Sequence, residues 1–442
     1  MKTKNRIFSL LILLALLFSL TLTLTSCLAK NAGSDEIFSK DQLAANIAAE
    51  SNLDRSYVWQ YLSEWKFPSF DGQKFKKIET LYHKHYYKSD DLPSPYELAK
   101  AIAEDFLLNT YDNIDLTSSQ KVTDAFLYAY VEATGDRYSH YRTNEQYNDY
   151  TNNMSGVVYY GIGVNVRSTE DGTGILVVSP VRNSPAETAG VLADDIIIAI
   201  DGVRVADVGY SAAIDSVKGE SGTAVVLTII RGGSQLNISV VRGPIPELTV
   251  DRQVIDGIGY IDINSFKKNT DDLFIEAVDY VIANGAKAIV YDLRSNGGGY
   301  LDTVENMLDY IAKDGSTLVS FSNNYSKPEK ANDGHSVTLP TVILCNGATA
   351  SASELFTAGI QDIAATQGFS VTVVGQKTYG KFVVQNTYTL SDGSAITMTV
   401  AYYYSPSGKE YDGVGITPDV EIKGDANQYN RAIEIAQGFI QQ

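Results

Sequence analysis

The sequence predicts an α/β protein with an inserted β-rich module and a helical region near its N-terminal end, on three observations. From residue 250 onward, strand-like and helix-like segments alternate, which is typical of crossover units around a largely parallel sheet. Residues 156–243 are short β-rich runs punctuated by glycine, and residues 41–154 have apolar positions at helical spacing. With 442 residues, of which 44% are hydrophobic, the chain is long enough for two or three domains.

The first residues of the chain have the features of a bacterial export signal. A basic head precedes an apolar run, which ends in Leu-Thr-Ser-Cys at residues 24–27, a match to the lipobox of lipoproteins. We therefore expect residues 1–26 to be a signal peptide and Cys27 to carry a lipid that anchors an extracytoplasmic protein to the bacterial membrane. An uncleaved transmembrane helix is the alternative, because the run is near the length that spans a bilayer.

Changes in pattern along the chain set the predicted domain boundaries. Residues 27–40 are small and polar, as in a linker. The domains that follow are the helical region 41–154, the β-rich module 156–243, an α/β core over 244–423 and a C-terminal helix over 424–442. The module is predicted to hold strands at 162–166, 175–178, 195–200, 224–230 and 237–241, and helices at 184–190 and 210–217. The core is predicted to hold strands at 259–263, 288–292, 341–345 and 371–374, and helices at 271–282, 301–311 and 352–365.

The composition disfavours several classes of protein. The formal net charge is −18, and it would be −21 for a chain that begins at Cys27, so an acidic surface argues against nucleic acid as a partner. The other cysteine, Cys345, follows an apolar run in which a thiol behaves as a small buried hydrophobe. With Cys27 lipidated no intramolecular disulfide remains, and no Cys/His spacing typical of a metal site occurs. We therefore expect neither a metal nor an organic cofactor.

A serine-rich segment between a predicted strand and a predicted helix is a candidate nucleophile site. Residues 346–354 read N-G-A-T-A-S-A-S-E, so Ser351 stands at a strand-to-helix turn that presents its hydroxyl at the edge of the sheet. The following backbone N–H groups lie at the positive end of the helix, which suits a developing anion. An ordinary helix cap with a glutamate in the first turn is the simpler alternative.

Two further segments could supply the other parts of a catalytic site. Residues 292–299, D-L-R-S-N-G-G-G, leave a buried strand and turn through three glycines. The glycine N–H groups could form a nest that binds an oxyanion. Alternatively, the glycines only allow the chain to reverse its direction. No phosphate-loop spacing follows them. Residues 375–385 place Lys381 among Tyr, Gly, Phe and Val, where partial desolvation favours the neutral amine that a general base needs. Gln385 could accept from that amine, and a solvated surface lysine is the alternative.

Taken together and in this order, these segments resemble the C-terminal processing, or tail-specific, serine peptidases. The resemblance covers about residues 120–423 and includes G-D-R-Y-S-H-Y at 135–141, S-P-A-E-T-A-G at 184–190 and Y-S-P-S-G-K-E-Y-D-G-V-G-I-T-P-D-V at 404–420. It implies a crotonase-like (ClpP/crotonase) protease core with an inserted PDZ domain.

The resemblance also implies a role for each site residue. Ser351 would be the nucleophile, Lys381 the general base and Gln385 the residue that orients the base. The oxyanion would be held by the N–H groups of Gly298 and Ala352. Gly298 is preferred to the glycine before it, because relatives can carry proline there, and proline has no N–H.

Three departures qualify the resemblance. The interval of 30 residues from Ser351 to Lys381 is longer than is usual in the family, and we expect the extra residues in a surface loop at 365–370. Phe382 stands where a glycine usually follows the lysine, which predicts a tighter cleft wall. Lys218 stands where many relatives have an arginine proposed to couple the PDZ domain to the protease, and lysine lacks the fork geometry of arginine.

The PDZ-like stretch has its own physical case for binding peptides. Gly161, Ile162 and Gly163 form a glycine-flanked apolar turn before a predicted edge strand. There, backbone N–H groups can bind a peptide carboxylate and the peptide can add a strand to the sheet. The helix at 210–217 would form the opposing wall. A β module that serves only as a spacer is the alternative.

The sequence thus predicts an extracytoplasmic serine endopeptidase that cuts proteins near their C-termini, with substrates that carry flexible apolar tails. A homo-oligomer is left open. Two other functions remain: a catalytically silent PDZ receptor that binds tails, and a serine hydrolase of non-peptide acyl groups. A Ser/His/Asp site would have His335 as its base, but none of the four histidines has an acid at recognisable triad spacing.

Overall fold

The computed structural model describes residues 45, 71–92, 118–322 and 325–441. These residues fall into two compact units, of which the larger runs from residue 138 onward and also takes in residues 85–87. The predicted signal peptide 1–26, the linker 27–40 and Cys27 lie outside the described residues. Within the described ranges, no helix combines the length and the apolar character needed to cross a bilayer.

The smaller unit is helical where it is described. Helix α1 spans Gly72–His85 and helix α2 spans Ser119–Ala133. The buried rings of Tyr82 and Tyr130 join the two helices edge to face, with centres 5.3 Å apart. These elements agree with the helical pattern predicted from the spacing of apolar residues.

The larger unit holds all the strands that the structure describes and eight α-helices. Its strands are β1 (His140–Arg142), β2 (Val157–Gly161), β3 (Val164–Ser168), β4 (Ile175–Pro180), β5 (Ile196–Ile200), β6 (Val203–Arg204), β7 (Ala224–Arg231), β8 (Ser234–Val241), β9 (Gly243–Pro246), β10 (Val250–Ile255), β11 (Ile258–Ile263), β12 (Ala288–Asp292), β13 (Thr317–Phe321), β14 (Glu329–Lys330), β15 (Thr341–Cys345), β16 (Val371–Gly375), β17 (Val383–Thr389), β18 (Ala395–Tyr404) and β19 (Val420–Glu421). Its helices are α3 (Asn144–Met154), α4 (Pro185–Thr188), α5 (Val205–Val208), α6 (Tyr210–Val217), α7 (Thr270–Ala283), α8 (Leu301–Ile311), α9 (Ala352–Gln367) and α10 (Asp425–Ile440).

An antiparallel sheet forms the β-rich module. Strands β3, β4, β5, β7 and β8 lie in that order, so β3 is an edge strand. The strand predicted at 162–166 begins only at Val164, as β3, because Gly163 adopts a φ of +73° and the carbonyl of Ile162 accepts from the N–H of Ala186 at 2.8 Å. The other predicted strands and helices of the module are present, with ends that differ by up to three residues.

The core is built on a mostly parallel sheet covered on both faces. Strands β10, β11, β12, β15, β16 and β19 lie in that order, and β10 is antiparallel to its neighbour. Ile289 and Tyr291 of β12 pack with α7, α8 and α9, whereas Ala288 and Val290 pack with α10 on the other face. Because both faces are covered, these strands are continuous apolar runs, which explains why the sequence pattern predicts them well.

A second sheet, which the sequence patterns do not predict, lies beside the core. In it β1, β18, β13 and β14 lie in that order, and β17 pairs with β18. The segment 135–141, predicted as a loop, leads into β1, which pairs with the start of β18. The surface loop predicted at 365–370 is wrong in part, because α9 continues to Gln367 before Gly368 ends it with a φ of +80°.

Candidate active site

Ser351 lies at the strand-to-helix turn that the sequence predicts, as the residue before α9. Its backbone has φ 59° and ψ −122°, outside the conformations that residues with a Cβ ordinarily adopt. The loop after β12 holds this turn, since the carbonyl of Asn296 accepts from the N–H of Ala350 and from the hydroxyl of Ser353, each at 3.0 Å. Such strain, fixed by the surrounding structure, supports a functional role for the serine.

A buried carboxylate joins the serine turn to the lysine loop. Glu354 is fully buried, and its Oε2 accepts from the N–H groups of Ser351 and Lys381, each at 2.8 Å. Its Oε1 accepts from the N–H of Gly380 at 2.6 Å and from the hydroxyl of Thr378 at 2.5 Å. Because they share one acceptor, the nitrogens of Ser351 and Lys381 are at most 5.6 Å apart. The candidate nucleophile and base therefore have a common support.

The side chain of Lys381 is aimed by a glutamine and a tyrosine. Its Nζ donates to Oε1 of Gln385 at 2.7 Å, as predicted. The other end of that amide donates to the carbonyl of Tyr138, which fixes the amide with its oxygen toward the lysine. Nζ also lies 4.9 Å from the centre of the Tyr138 ring. An aromatic face stabilises an ammonium, so Tyr138 opposes the desolvation that favours the neutral amine.

The predicted oxyanion residues are brought together beside the serine. The N–H of Ala352 has no acceptor within the described part of the chain. A Cβ built on Gly298 would lie 2.8 Å from Cβ of Ser351 and 2.9 Å from the nitrogen of Ala352, so Gly298 lines the same space. Its own N–H donates to Oδ1 of Asn296 at 2.9 Å. A substrate oxygen would therefore have to share that hydrogen with Asn296.

Two other residues that the sequence analysis singled out are His335, the alternative base, and Phe382, the residue after Lys381. His335 is 57% exposed, lies 3.4 Å from the carboxylate of Asp333, and stacks on Tyr310 with ring centres 4.7 Å apart. Phe382 is fully buried and packs on Tyr403 and Tyr411. The tighter cleft wall predicted from Phe382 is therefore wrong, because its ring belongs to the core.

The predicted carboxylate nest lies at the end of an edge strand. Ile162 and Gly163 precede β3, and their N–H groups have no acceptor among the described residues. Gly161 ends β2 and pairs with Gly243 of β9. The hydroxyl of Tyr210, the first residue of α6, donates to the carbonyl of Val166 in β3 at 3.3 Å. The helix and the edge strand thus lie side by side, as the sequence predicts for a peptide groove.

Contacts between the module and the core involve the turn at residues 182–183. Lys218 pairs with Asp215 at 2.8 Å, and both side chains are more than half exposed. In contrast, Asn183 of the module donates to Oε2 of Glu276 in α7 at 2.9 Å, and Arg182 donates to the carbonyl of Val250 at 2.5 Å. The turn before α4 therefore connects the module to the core.

Comparison with known proteins first defines the class. The sequence profile of Peptidase family S41 matches residues 257–422, and that of a PDZ domain matches residues 161–241. The core is that of a serine-type peptidase, and the β-rich module is a PDZ domain.

The relatives then define the family. The carboxy-terminal processing protease CtpA of Bacillus subtilis is 32% identical over 340 residues, which are 76% of this chain and 69% of that protein. A probable CtpA-like serine protease of Staphylococcus epidermidis is 33% identical over 309 residues, which are 69% of this chain and 61% of that protein. The solved structure of a photosystem II D1 C-terminal processing protease is 22% identical, with a TM-score of 0.47 over 81% of this chain and 95% of that one. On its sequence relatives, the chain belongs to peptidase family S41.

Sequence reasoning missed two residues of this site. Glu354 closes the segment that contains Ser351, where its spacing indicates only a first-turn glutamate. Tyr138 lies in the segment 135–141, whose aromatic and polar residues by themselves indicate only a loop. Both stand within segments that carry the family resemblance, which is the signal that could have found them.

Proposed function

We propose that this chain is an extracytoplasmic endopeptidase that cleaves proteins near their C-termini with a Ser351/Lys381 dyad. The observation that carries the proposal is the common acceptor, since the N–H groups of both residues donate to one oxygen of Glu354. The hydrogen bond from Nζ of Lys381 to Gln385 further supports the assignment of Lys381 as the base. The names of the relatives, which describe carboxy-terminal processing and serine proteases, support the same reaction.

In the acylation step, the hydroxyl proton of Ser351 passes to the neutral amine of Lys381, and Oγ bonds to the carbonyl carbon of the substrate. The carbonyl oxygen becomes negatively charged and accepts a hydrogen bond from the N–H of Ala352. It also accepts from the N–H of Gly298, which it shares with Asn296. As the intermediate collapses, the carbon–nitrogen bond breaks. The ammonium of Lys381 gives its proton to the leaving amine, and an acyl-enzyme remains.

In the deacylation step, water replaces the departed peptide. Lys381 takes a proton from that water, and the resulting hydroxide attacks the acyl carbon. The carbon–Oγ bond then breaks, Ser351 regains a proton from Lys381, and a new C-terminal carboxylate leaves. Apart from this water, the cycle uses only groups of the chain and of the substrate.

Substitutions of Lys381 that eliminate the base but preserve the fold test the dyad. Lys381→Ala and Lys381→Arg should both abolish peptide cleavage and leave thermal unfolding nearly unchanged, since arginine cannot supply a neutral amine at accessible pH. His335→Ala should retain activity. Substantial activity in Lys381→Arg, or its loss in His335→Ala, would show that the base is assigned wrongly.

A fluorophosphonate probe separates the proposal from its two alternatives. Labelling of Ser351 together with peptide cleavage supports a peptidase. Labelling without cleavage of any peptide would indicate a hydrolase of non-peptide acyl groups. Tail binding without labelling would indicate a catalytically silent receptor.

We also infer that the PDZ domain selects substrates by their free C-terminus. The support is that the N–H groups of Ile162 and Gly163, beside the edge strand β3, have no acceptor among the residues that the structure describes. Each charge-assisted hydrogen bond to a carboxylate contributes about 1.5–3 kcal/mol. An unfolded apolar tail with a free carboxylate should therefore be cut faster than its amidated twin. Equal rates for the two peptides would refute tail recognition by this nest.

The membrane anchor is a proposal that rests on the sequence around Cys27. Mature protein should partition into detergent, begin at residue 27 and carry a lipid that mass spectrometry detects. Cys27→Ser should stay unlipidated and partition into the aqueous phase. A mature wild-type protein that begins elsewhere and stays in the aqueous phase would contradict the anchor.

A further inference from the structure

A tyrosine bridges the two walls of the predicted peptide groove. Tyr210 begins α6, and its hydroxyl donates to the carbonyl oxygen of Val166 in β3 at 3.3 Å. Val164 and Val166 of β3 and Tyr210 and Ile214 of α6 are half-buried, and all four pack against the apolar core of the PDZ domain. The phenol therefore makes a polar contact between two walls that are apolar at these positions.

The carbonyl that the phenol holds lies on the open edge of the sheet. Val166 stands opposite Val177 of β4. The N–H of Val177 donates to the carbonyl of Asp195 at 2.8 Å, and its carbonyl accepts from the N–H of Asp194 at 2.9 Å. Because both groups of Val177 are used on the side away from β3, Val166 and Val177 form a non-hydrogen-bonded pair. The N–H and the carbonyl of Val166 thus point away from β4, to the edge where a tail would add.

The position of the nest sets which tail residue meets this carbonyl. The nest at Ile162 and Gly163 precedes β3, so a tail whose carboxylate lies there runs along β3 antiparallel to it. Every second residue of β3 directs its N–H and carbonyl to the edge, first Val164 and then Val166. The last residue of the tail therefore pairs with Val164, and the third residue from the end pairs with Val166. As a strand, the tail has to donate the N–H of that third residue to the oxygen that Tyr210 already uses.

We propose that Tyr210 is a specificity-determining residue of the groove, because its hydroxyl competes for the Val166 carbonyl with the N–H of the third residue from the end of the tail. The phenol oxygen is 3.3 Å from that carbonyl oxygen, close to the roughly 2.9–3.0 Å that a backbone nitrogen would take. Tail entry thus exchanges one hydrogen bond for another, so this N–H adds little to affinity and tails that lack it are accepted. The inference rests on the proposed recognition of tails by the nest at Ile162 and Gly163.

The test measures binding of two peptides to the full chain with Ser351→Ala, which keeps the groove and should not cleave them. One peptide is an apolar tail with a free carboxylate. In its twin the third residue from the end is the corresponding α-hydroxy acid, so that an ester oxygen replaces the N–H. We expect nearly equal Kd values for the two peptides when Tyr210 is present.

Tyr210→Phe removes the competing hydroxyl and keeps the ring. The Kd of the all-amide peptide should then fall about threefold to tenfold, the effect of one neutral hydrogen bond, whereas that of the ester twin should not fall. Ser211→Ala is the matched control, since Ser211 is the next residue of α6, is exposed, and also loses a hydroxyl. It should leave both Kd values unchanged.

The outcomes separate this inference from the tail recognition on which it rests. The ratio of the two Kd values is measured within each variant, so a general loosening of α6 cancels from it. The same ratio with and without the Tyr210 hydroxyl would overturn the inference, and weaker binding of both peptides at that ratio would assign Tyr210 to packing. Equal binding of the free and the amidated tail would overturn recognition by the nest, and this inference with it.

Discussion

The side-chain nitrogen of Lys381 lies 4.9 Å from the centre of the Tyr138 ring, and the carbonyl of Tyr138 holds Gln385, which accepts from the same nitrogen. The ring stabilises the ammonium, whereas catalysis requires the amine. Tyr138→Leu should therefore move the rising limb of the pH–rate profile to lower pH. Tyr138→Phe keeps the ring and should leave the profile in place. Identical profiles for Leu and Phe would exclude this effect.

Glu354→Gln tests the support shared by the serine and the lysine. The carboxylate accepts four hydrogen bonds, and an amide would present an NH₂ group to two of those donors. Because each unpaired buried donor costs about 1–3 kcal/mol, we expect a lower thermal midpoint and a kcat reduced at least tenfold, with KM little changed. Glu410→Gln, at an exposed position, should match the wild type. A wild-type kcat in Glu354→Gln would contradict the role of Glu354.

The fold is predictable from the sequence where the pattern is local. Strands 288–292 and 341–345 and helix 301–311 have the predicted bounds, because apolar runs and helical spacing mark elements that are buried between layers. The sequence patterns do not predict strands β17 and β18, because these strands mix polar and apolar residues. The pairing of β18 with β1, about 250 residues away, depends on tertiary contacts that no local pattern contains.

The residues of the candidate site likewise differ in whether a local sequence pattern predicts them. Ser351, Lys381 and Gln385 are predicted from short motifs; in the structure Lys381 is hydrogen-bonded to Gln385, and the N–H groups of Ser351 and Lys381 share an acceptor. The part played by Glu354 depends on residues 378–381, which donate hydrogen bonds to both of its carboxylate oxygens. Hydrogen bonds between segments that far apart in sequence are set by the fold, so the residue types alone could not indicate them.

Gly298→Ala tests whether the space beside the serine must stay open. The added methyl group would lie 2.7 Å from the carbonyl of Ala350 and 2.8 Å from Cβ of Ser351, and the φ of +94° disfavours any Cβ. We expect kcat to fall at least a hundredfold, because the turn that holds Ser351 and Ala352 must shift. Gly297→Ala, whose methyl group meets open space, should keep near wild-type activity. Equal activities in a peptide cleavage assay would contradict the prediction.

Glu305→Gln tests a pH-dependent contribution to stability. Burial, and then the charges of Glu329 and Asp302, raise the pKa of Glu305 from its ordinary value of 4.5 to about 7. The folded state thus binds the proton more tightly than the unfolded state, so stability is lost as the pH rises from about 4.5 through 7. The variant should melt at a higher temperature than the wild type at pH 8, and the difference should vanish near pH 4. Glu421→Gln, at an exposed position, should show no such trend.

Glu276→Ala tests the connection between the PDZ domain and the core. Glu276 of α7 accepts from Asn183 of the domain at 2.9 Å and from Arg252 of the core at 2.8 Å, while Lys218 pairs only with its neighbour Asp215 among the described residues. If the domain delivers tails to Ser351, loosening it should lower kcat/KM several-fold for a long substrate with a free apolar tail. A short peptide that cannot reach both sites should be cut at the wild-type rate. Lys218→Ala is the control, and an effect of Lys218→Ala without one of Glu276→Ala would assign the coupling to the lysine instead.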